Sequence, residues 1–259
     1  MSAPDSMARR LEAIEESGWG RPIRLVQPRN LAFWIYVVFV AIGIFSFATK
    51  LADLPSAYTT AIVAALLVWA VYTVPWVIFL HVTDRYEREP AKLAVWGFIW
   101  GGFAATWAIA IHGNNALHDL YATLISPEFA LNFAPPLSAP LVEESSKAVG
   151  FVLILVLARH AVRSAFDGLI IGAFIGLGFQ VLENIHYALA AAETAFGSAN
   201  ISGVIGTIVG RGLITGLFTH VLFSALVCAG LVYLIGTPSE PRNVTRGLLL
   251  VCGGVIGHG

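Results

Sequence analysis

Leu141-Val142-Glu143-Glu144-Ser145-Ser146-Lys147-Ala148-Val149-Gly150 sets two adjacent carboxylates and a lysine directly before the apolar run Phe151 to Ala158. If that run is a membrane helix, the charges sit inside or at the lip of hydrocarbon. A charge at a membrane helix centre costs ~2.5–3.5 kcal/mol on insertion scales, so charges kept there mark function by default. On a helix, Glu143 lies four residues and Glu144 three residues before Lys147, so one ammonium can serve both acids. The same motif on a solvated helix would be an ordinary charge pair. Pro135, Pro136 and Pro140 just upstream also suit a helix start, where first-turn carboxylates are favoured by the helix dipole. The surroundings decide between these readings.

Those surroundings are apolar. Of the 259 residues, 57% are hydrophobic and 12% are charged. Soluble domains carry roughly 25% charged residues, so the composition is that of an integral membrane protein. Runs long enough to span occur at about 31–49, 60–82, 93–112, 137–158, 166–192 and 212–236, with a last one starting near 247. The expected architecture is all-α: a polytopic membrane bundle of about seven helices (residues 31–259) behind a polar, cytoplasmic arm (residues 1–30). Within the arm, residues 6–17 suit a short polar helix that breaks at Gly18 and Gly20. The last run is still apolar at Gly259, so its helix is expected to be truncated there and the natural chain to continue. Cys228 and Cys252 fall in apolar runs and lack metal-type spacing, and they are expected as buried free thiols.

Basic residues orient the bundle. Arg9, Arg10, Arg21, Arg24 and Arg29 in the arm share a side with Arg85, Arg88, Lys92, Arg159, Arg163, Arg242 and Arg246. The alternate loops offer only Lys50 and Arg211, and 113–136 offers none. The positive-inside rule therefore predicts a cytoplasmic N-terminus in the cell membrane, with 113–136 as an outer loop. Asp84-Arg85-Tyr86-Glu87-Arg88-Glu89-Pro90 reads as a solvated cytoplasmic turn held by ion pairs. In the fifth run, Gly168, Gly172 and Gly176 make a flat stripe for close helix approach.

Further ionisable groups recur at one depth. Glu183 and Asn184 lie about 25 Å along the fifth helix from Phe166. His220 lies about 14 Å from Arg211, and His258 about 18 Å past Arg246. Glu143, Glu144, Glu183 and His220, with His258, thus come from three or four helices. Such groups are tolerated when they face one another or water inside a bundle. Carboxylates with histidines suit water activation by a general base, or coordination of a metal such as zinc. The sequence has no His-Glu-x-x-His pair, no Gly-x-Ser-x-Gly elbow and no Gly-Asp pair within a span, which argues against zinc-helix, serine and aspartyl membrane proteases.

Glu143-Glu144-x-x-Lys147, then Phe179-x-x-x-Glu183-Asn184, then His220 in a later span resemble the motifs of the PrsW-type intramembrane proteases. The charged turn 84–90 is similar to that family's as well, and the resemblance runs from about residue 80 to the end. It implies relatedness to the superfamily of CAAX prenyl-proteases and bacteriocin-processing proteins. It also implies cleavage of a membrane-anchored anti-sigma factor, with Glu143 and Glu144 carrying catalysis and Glu183 and His220 completing the site.

The expected function is therefore an intramembrane endopeptidase acting on a single-span, anti-sigma-factor-like protein within the bilayer, with no nucleic-acid partner. One glutamate serves as general base, Lys147 orients or neutralises the other, and His220 polarises the scissile carbonyl or stabilises its oxyanion. The expected metal set is Glu183, His220 and His258, holding zinc, with Glu143 or Glu144 as base; the alternative is that the glutamates activate water with no metal. The competing class is a non-catalytic membrane scaffold or sensor that uses the same cluster as helix glue. A transporter fits less well, because the runs show no two-fold repeat. Oligomeric state is not legible.

Overall fold

The structure is a computed structural model that describes residues 23–85, 89–193, 201–216, 219–237 and 239–258. The arm helix expected at 6–17, the tip of the charged turn and Gly259 lie outside the described residues. Among the described residues, eight helices follow one another, besides a single 3-10 turn at Ser56–Tyr58. They are α1 (Leu31–Asp53), α2 (Thr59–Thr83), α3 (Ala91–Leu124), α4 (Pro127–Leu157), α5 (Ala165–Glu193), α6 (Ile201–Ile214), α7 (His220–Ile235) and α8 (Val244–His258). No strand occurs among the described residues. The chain is an all-α, multi-pass membrane bundle. Leu31–Asp53, Ser56–Thr83, Ala91–Leu124 and Ala165–Glu193 are long and apolar enough to cross a bilayer, and α6, α7 and α8 are shorter apolar helices. α4 is long enough at 31 residues, but Glu143, Glu144 and Lys147 interrupt its apolar character.

Two expectations about local structure are corrected. Residues 113–136 do not form an empty outer loop, because helix α3 continues to Leu124 and α4 begins at Pro127. Ser126 caps the new helix, its hydroxyl accepting from Phe129 N at 3.0 Å, and Pro127 takes a position whose N–H has no helical partner. Pro135, Pro136 and Pro140 consequently lie inside α4. Glu143 and Glu144 sit well beyond its first turn, so the helix-start placement is excluded. The second correction concerns the sixth apolar run. It is not one helix, because α6 ends at Ile214, Thr215 and Gly216 turn out of it, and α7 begins at His220. Gly210, Gly212 and Gly216 supply the weak helix propensity for that break.

α5 is the central element, packed against α7, α2 and both the start and the middle of α3. Its glycine stripe faces α7: a Cβ on Gly176 would lie 2.2 Å from His220 O. Only a glycine there lets the two backbones touch, and the contact fixes the height of His220. The middle of α3, Trp100–Ala110, is wound as a π-helix, a form rare at this length and associated with functional regions. It braces α4: the Trp100 indole donates to Ser146 O at 2.9 Å, and its ring fills the space where a Cβ on Gly150 would meet it at 2.0 Å. Phe45, Leu67, Val71 and Ile78 project from α1 and α2 as exposed apolar groups, as lipid-facing helices require.

At its described ends the charged turn after α2 is partly buried rather than fully solvated. Asp84 is buried, and its Oδ2 accepts from Glu89 N at 2.7 Å. Asp167, at the start of α5, is buried beside it and accepts from Arg163 N and Ser164 N at 2.7 and 2.8 Å. Burial and the neighbouring Asp167 and Asp84 carboxylates push the Glu89 carboxyl up from 4.5 to about 9, Arg163 opposing. A native pKa above the unfolded one means the folded state binds the extra proton between those values, so stability declines as pH rises across that window. Glu89→Gln is therefore expected to raise the thermal midpoint at pH 8 relative to wild type, and to do so less at pH 5. Equal shifts at both pH values would show that Glu89 ionises freely.

Candidate active site

The five ionisable residues singled out on α4, α5, α7 and α8, together with Lys147, converge on one buried centre. Lys147 is fully buried. Its Nζ lies 2.8 Å from Glu144 Oε1, 3.8 Å from Glu143 Oε2 and 3.1 Å from His220 Nδ1, and it sits 3.8 Å over the Phe179 ring. An ammonium can only donate, so His220 Nδ1 is the acceptor and the imidazole proton is on Nε2. That nitrogen lies 3.1 Å from Glu183 Oε2. Glu183 Oε2 is also bound by Arg211 Nη2 at 2.7 Å, while Arg211 Nε donates to Asn184 Oδ1 at 2.8 Å. The guanidinium stacks 3.8 Å over Tyr187.

The two adjacent glutamates have different surroundings. Glu144 faces inward, where Ser224 Oγ donates to its Oε2 at 3.1 Å and Lys147 to its Oε1. His258 Nδ1 is 2.9 Å from that same oxygen, at contact distance but without hydrogen-bond alignment. Glu143 is held by one neutral donor, Asn114 Nδ2, at 3.1 Å from Oε1. Its Oε2 is buried with no hydrogen-bond partner and lies 3.4 Å from His258 Nε2 and 3.7 Å from His220 Nδ1. Glu143, and not Glu144, lines a cavity of about 340 Å3 together with Glu183, Arg211, His220, His258 and the α4 prolines.

Glu143, His220 and His258 each present a ligand atom within 4.8 Å of the others. The sequence placed Glu183 in that set. In the structure Glu183 stands behind His220, bonded to Arg211, and Glu143 takes its place. An orphaned carboxylate oxygen beside two imidazoles suits a divalent ion of the zinc type. A carboxylate on the far nitrogen of His220 is the arrangement that orients metal-bound histidines.

Three contributors escaped the sequence reading. Arg211 counted only as a topology marker, Asn114 fell in the supposed outer loop, and Ser224 carried no role. The only local signal for Arg211 was its place in a glycine-rich segment, Gly210-Arg211-Gly212.

Fold and site together define a multi-pass membrane protein with a buried carboxylate–imidazole–ammonium centre. The PrsW family intramembrane metalloprotease pattern matches residues 89–259, and the chain belongs to that family. It is 28% identical over 144 residues to Protease PrsW of Clostridioides difficile (strain 630), covering 54% of this chain and 53% of that protein. It is 31% identical over 123 residues to Protease PrsW of Geobacillus kaustophilus (strain HTA426), covering 47% and 51%. The chain thus spans about half the length of the curated relatives it matches. No solved structure matches it.

Proposed function

We propose that the chain is an intramembrane endopeptidase that hydrolyses a peptide bond of a single-span membrane protein, an anti-sigma-factor-like substrate being the first to test. The observation that carries this is Glu143: a buried carboxylate with one unpartnered oxygen, facing a cavity, between two imidazoles. Glu143, His220 and His258 would hold a zinc-type ion, which would replace Lys147 at the single His220 Nδ1 lone pair and whose chemistry is to polarise a carbonyl and bring the pKa of a bound water to about 7. Glu183 and Arg211 keep the His220 ring in the tautomer that directs Nδ1 inward. Lys147 and Ser224 hold Glu144 as a fixed negative charge behind the site. Arg211 reaches the cavity wall and is placed to donate to an oxyanion. Without an ion, the unpartnered Glu143 oxygen is the group suited to take a proton from water.

The test is co-expression with candidate single-span anti-sigma factors, scoring truncation by wild type and by Glu143→Ala. Truncation that persists with Glu143→Ala would refute the assignment. The N-terminus is proposed to be cytoplasmic. Single cysteines at Thr123, in the last turn of α3, and at His160, in the turn after α4, should then label from the outside and the inside respectively, and the reverse pattern would invert the topology.

A further inference from the structure

The break between α6 and α7 separates Arg211 from His220, yet both must meet Glu183. A buried clasp spans it. Gln180 on α5 is fully buried, and its Nε2 donates to Gly216 O at 2.7 Å and to Tyr72 Oη at 2.8 Å. Gly216 O can only accept, which fixes the amide orientation. Tyr72, from α2, donates in turn to Gly212 O at 3.2 Å, with Gly216 O at 3.5 Å. Gly212 and Gly216 flank the turn by which the chain leaves α6. At Gly216 a Cβ would strike Arg211 O at 1.8 Å and Gln180 Nε2 at 2.8 Å, so the amide and the turn are fitted to each other.

We infer that Gln180 and Tyr72 are positioning residues: they pin the α6–α7 break at Gly216 and so hold His220 and Arg211 in register on Glu183. The inference rests on the protease reading for its consequence in turnover, but not for its geometry. Gln180 sits one turn before Glu183 on the same helix, so α5 supplies both the anchor for the break and the carboxylate that the break must deliver its residues to. The Gln180 Oε1 is buried with no hydrogen-bond partner. Exchanging the amide for an apolar group of similar length removes this unsatisfied acceptor, which offsets part of the cost of losing the two Nε2 bonds and leaving Gly216 O to Tyr72 alone. A purely structural role therefore predicts a loss of activity that follows the thermal midpoint, whereas a positioning role predicts a loss well beyond it.

The experiment compares wild type, Gln180→Met and Tyr72→Phe, full chain in detergent or lipid, by turnover, thermal midpoint and the imidazole 15N signals of His220, assigned by difference against His220→Gln. Wild type is expected to show the Nε2–H tautomer alone. Both variants are expected to show averaged tautomers and a kcat lowered about 10–100-fold, the range for groups that orient site residues, with KM within about twofold and midpoints within roughly 3 °C, about 1 kcal/mol at this size. Unchanged His220 signals would overturn the inference whatever kcat does, as would a kcat loss that merely tracks the midpoint. If wild type cleaves no substrate while the variants still disturb the His220 tautomer, the protease reading fails and the clasp stands.

Discussion

Glu143→Gln is expected to fold, insert and be recovered at wild-type levels while cleaving substrate at least about 10²-fold more slowly, because the amide can neither hold an ion as the carboxylate does nor take a proton from water. The amide keeps the size of the side chain and can still meet Asn114 and fill the cavity wall. It loses the anionic Oε2 that stands between His220 and His258. Glu144→Gln differs in mechanism, because it strips the partner from Lys147 and Ser224. A buried ammonium left with one acid fewer is destabilising, typically by 3–5 kcal/mol when a buried pair is broken, so this variant should lose recovery as well as activity. The diagnostic contrast is folded and silent for Glu143→Gln, poorly recovered for Glu144→Gln. A non-catalytic scaffold predicts the reverse emphasis: both variants would impair assembly, and neither would alter any cleavage product.

Stripping purified full-length protein with a strong chelator is expected to abolish cleavage, and about one equivalent of zinc should restore it. The three ligand atoms come from α4, α7 and α8, and no two lie close in sequence. Binding should therefore depend on an intact bundle and raise its thermal midpoint, since whatever binds only the folded state stabilises it. His258→Ala should lose zinc, whereas Glu183→Gln should keep it with affinity lowered about 10–100-fold. Full turnover with less than about a tenth of an equivalent of any transition metal would mean that Glu143 works on water directly.

What the sequence disclosed follows from range. Glu143, Glu144 and Lys147 are neighbours along one helix, so their contact could be read from helical spacing alone. Gly168, Gly172 and Gly176 announced a close approach for the same reason, although not which helix would use it. Glu183, His220 and His258 were found as costly residues in apolar runs, but their pairing is a property of four helices meeting. No periodicity could show that Arg211 would claim Glu183 and leave Glu143 to the histidines. The broken sixth run hid behind its own hydropathy: Leu213 and Ile214 keep the composition apolar where the backbone stops being helical. The outer loop was misread because it lacks lysine and arginine and ends in prolines, and a cap at Ser126 outweighs both.

The interior charges of α4 also bear on how the protein is made. Taken alone, a helix with Glu143, Glu144 and Lys147 near its middle faces a transfer penalty of roughly 7.5–10.5 kcal/mol, from about 2.5–3.5 for each charge. The pairing of Lys147 with Glu144 can form within the helix itself. Ser224 and the two imidazoles, however, belong to α7 and α8, which the ribosome delivers later. α4 is therefore expected to linger at the insertion machinery until its downstream partners emerge, so that the second half of the bundle enters the bilayer as a group. In truncated chains ending before His220, a cysteine at His160 should accordingly stay accessible from the same side as one at Thr123, and chains that include α7 should carry it to the opposite side.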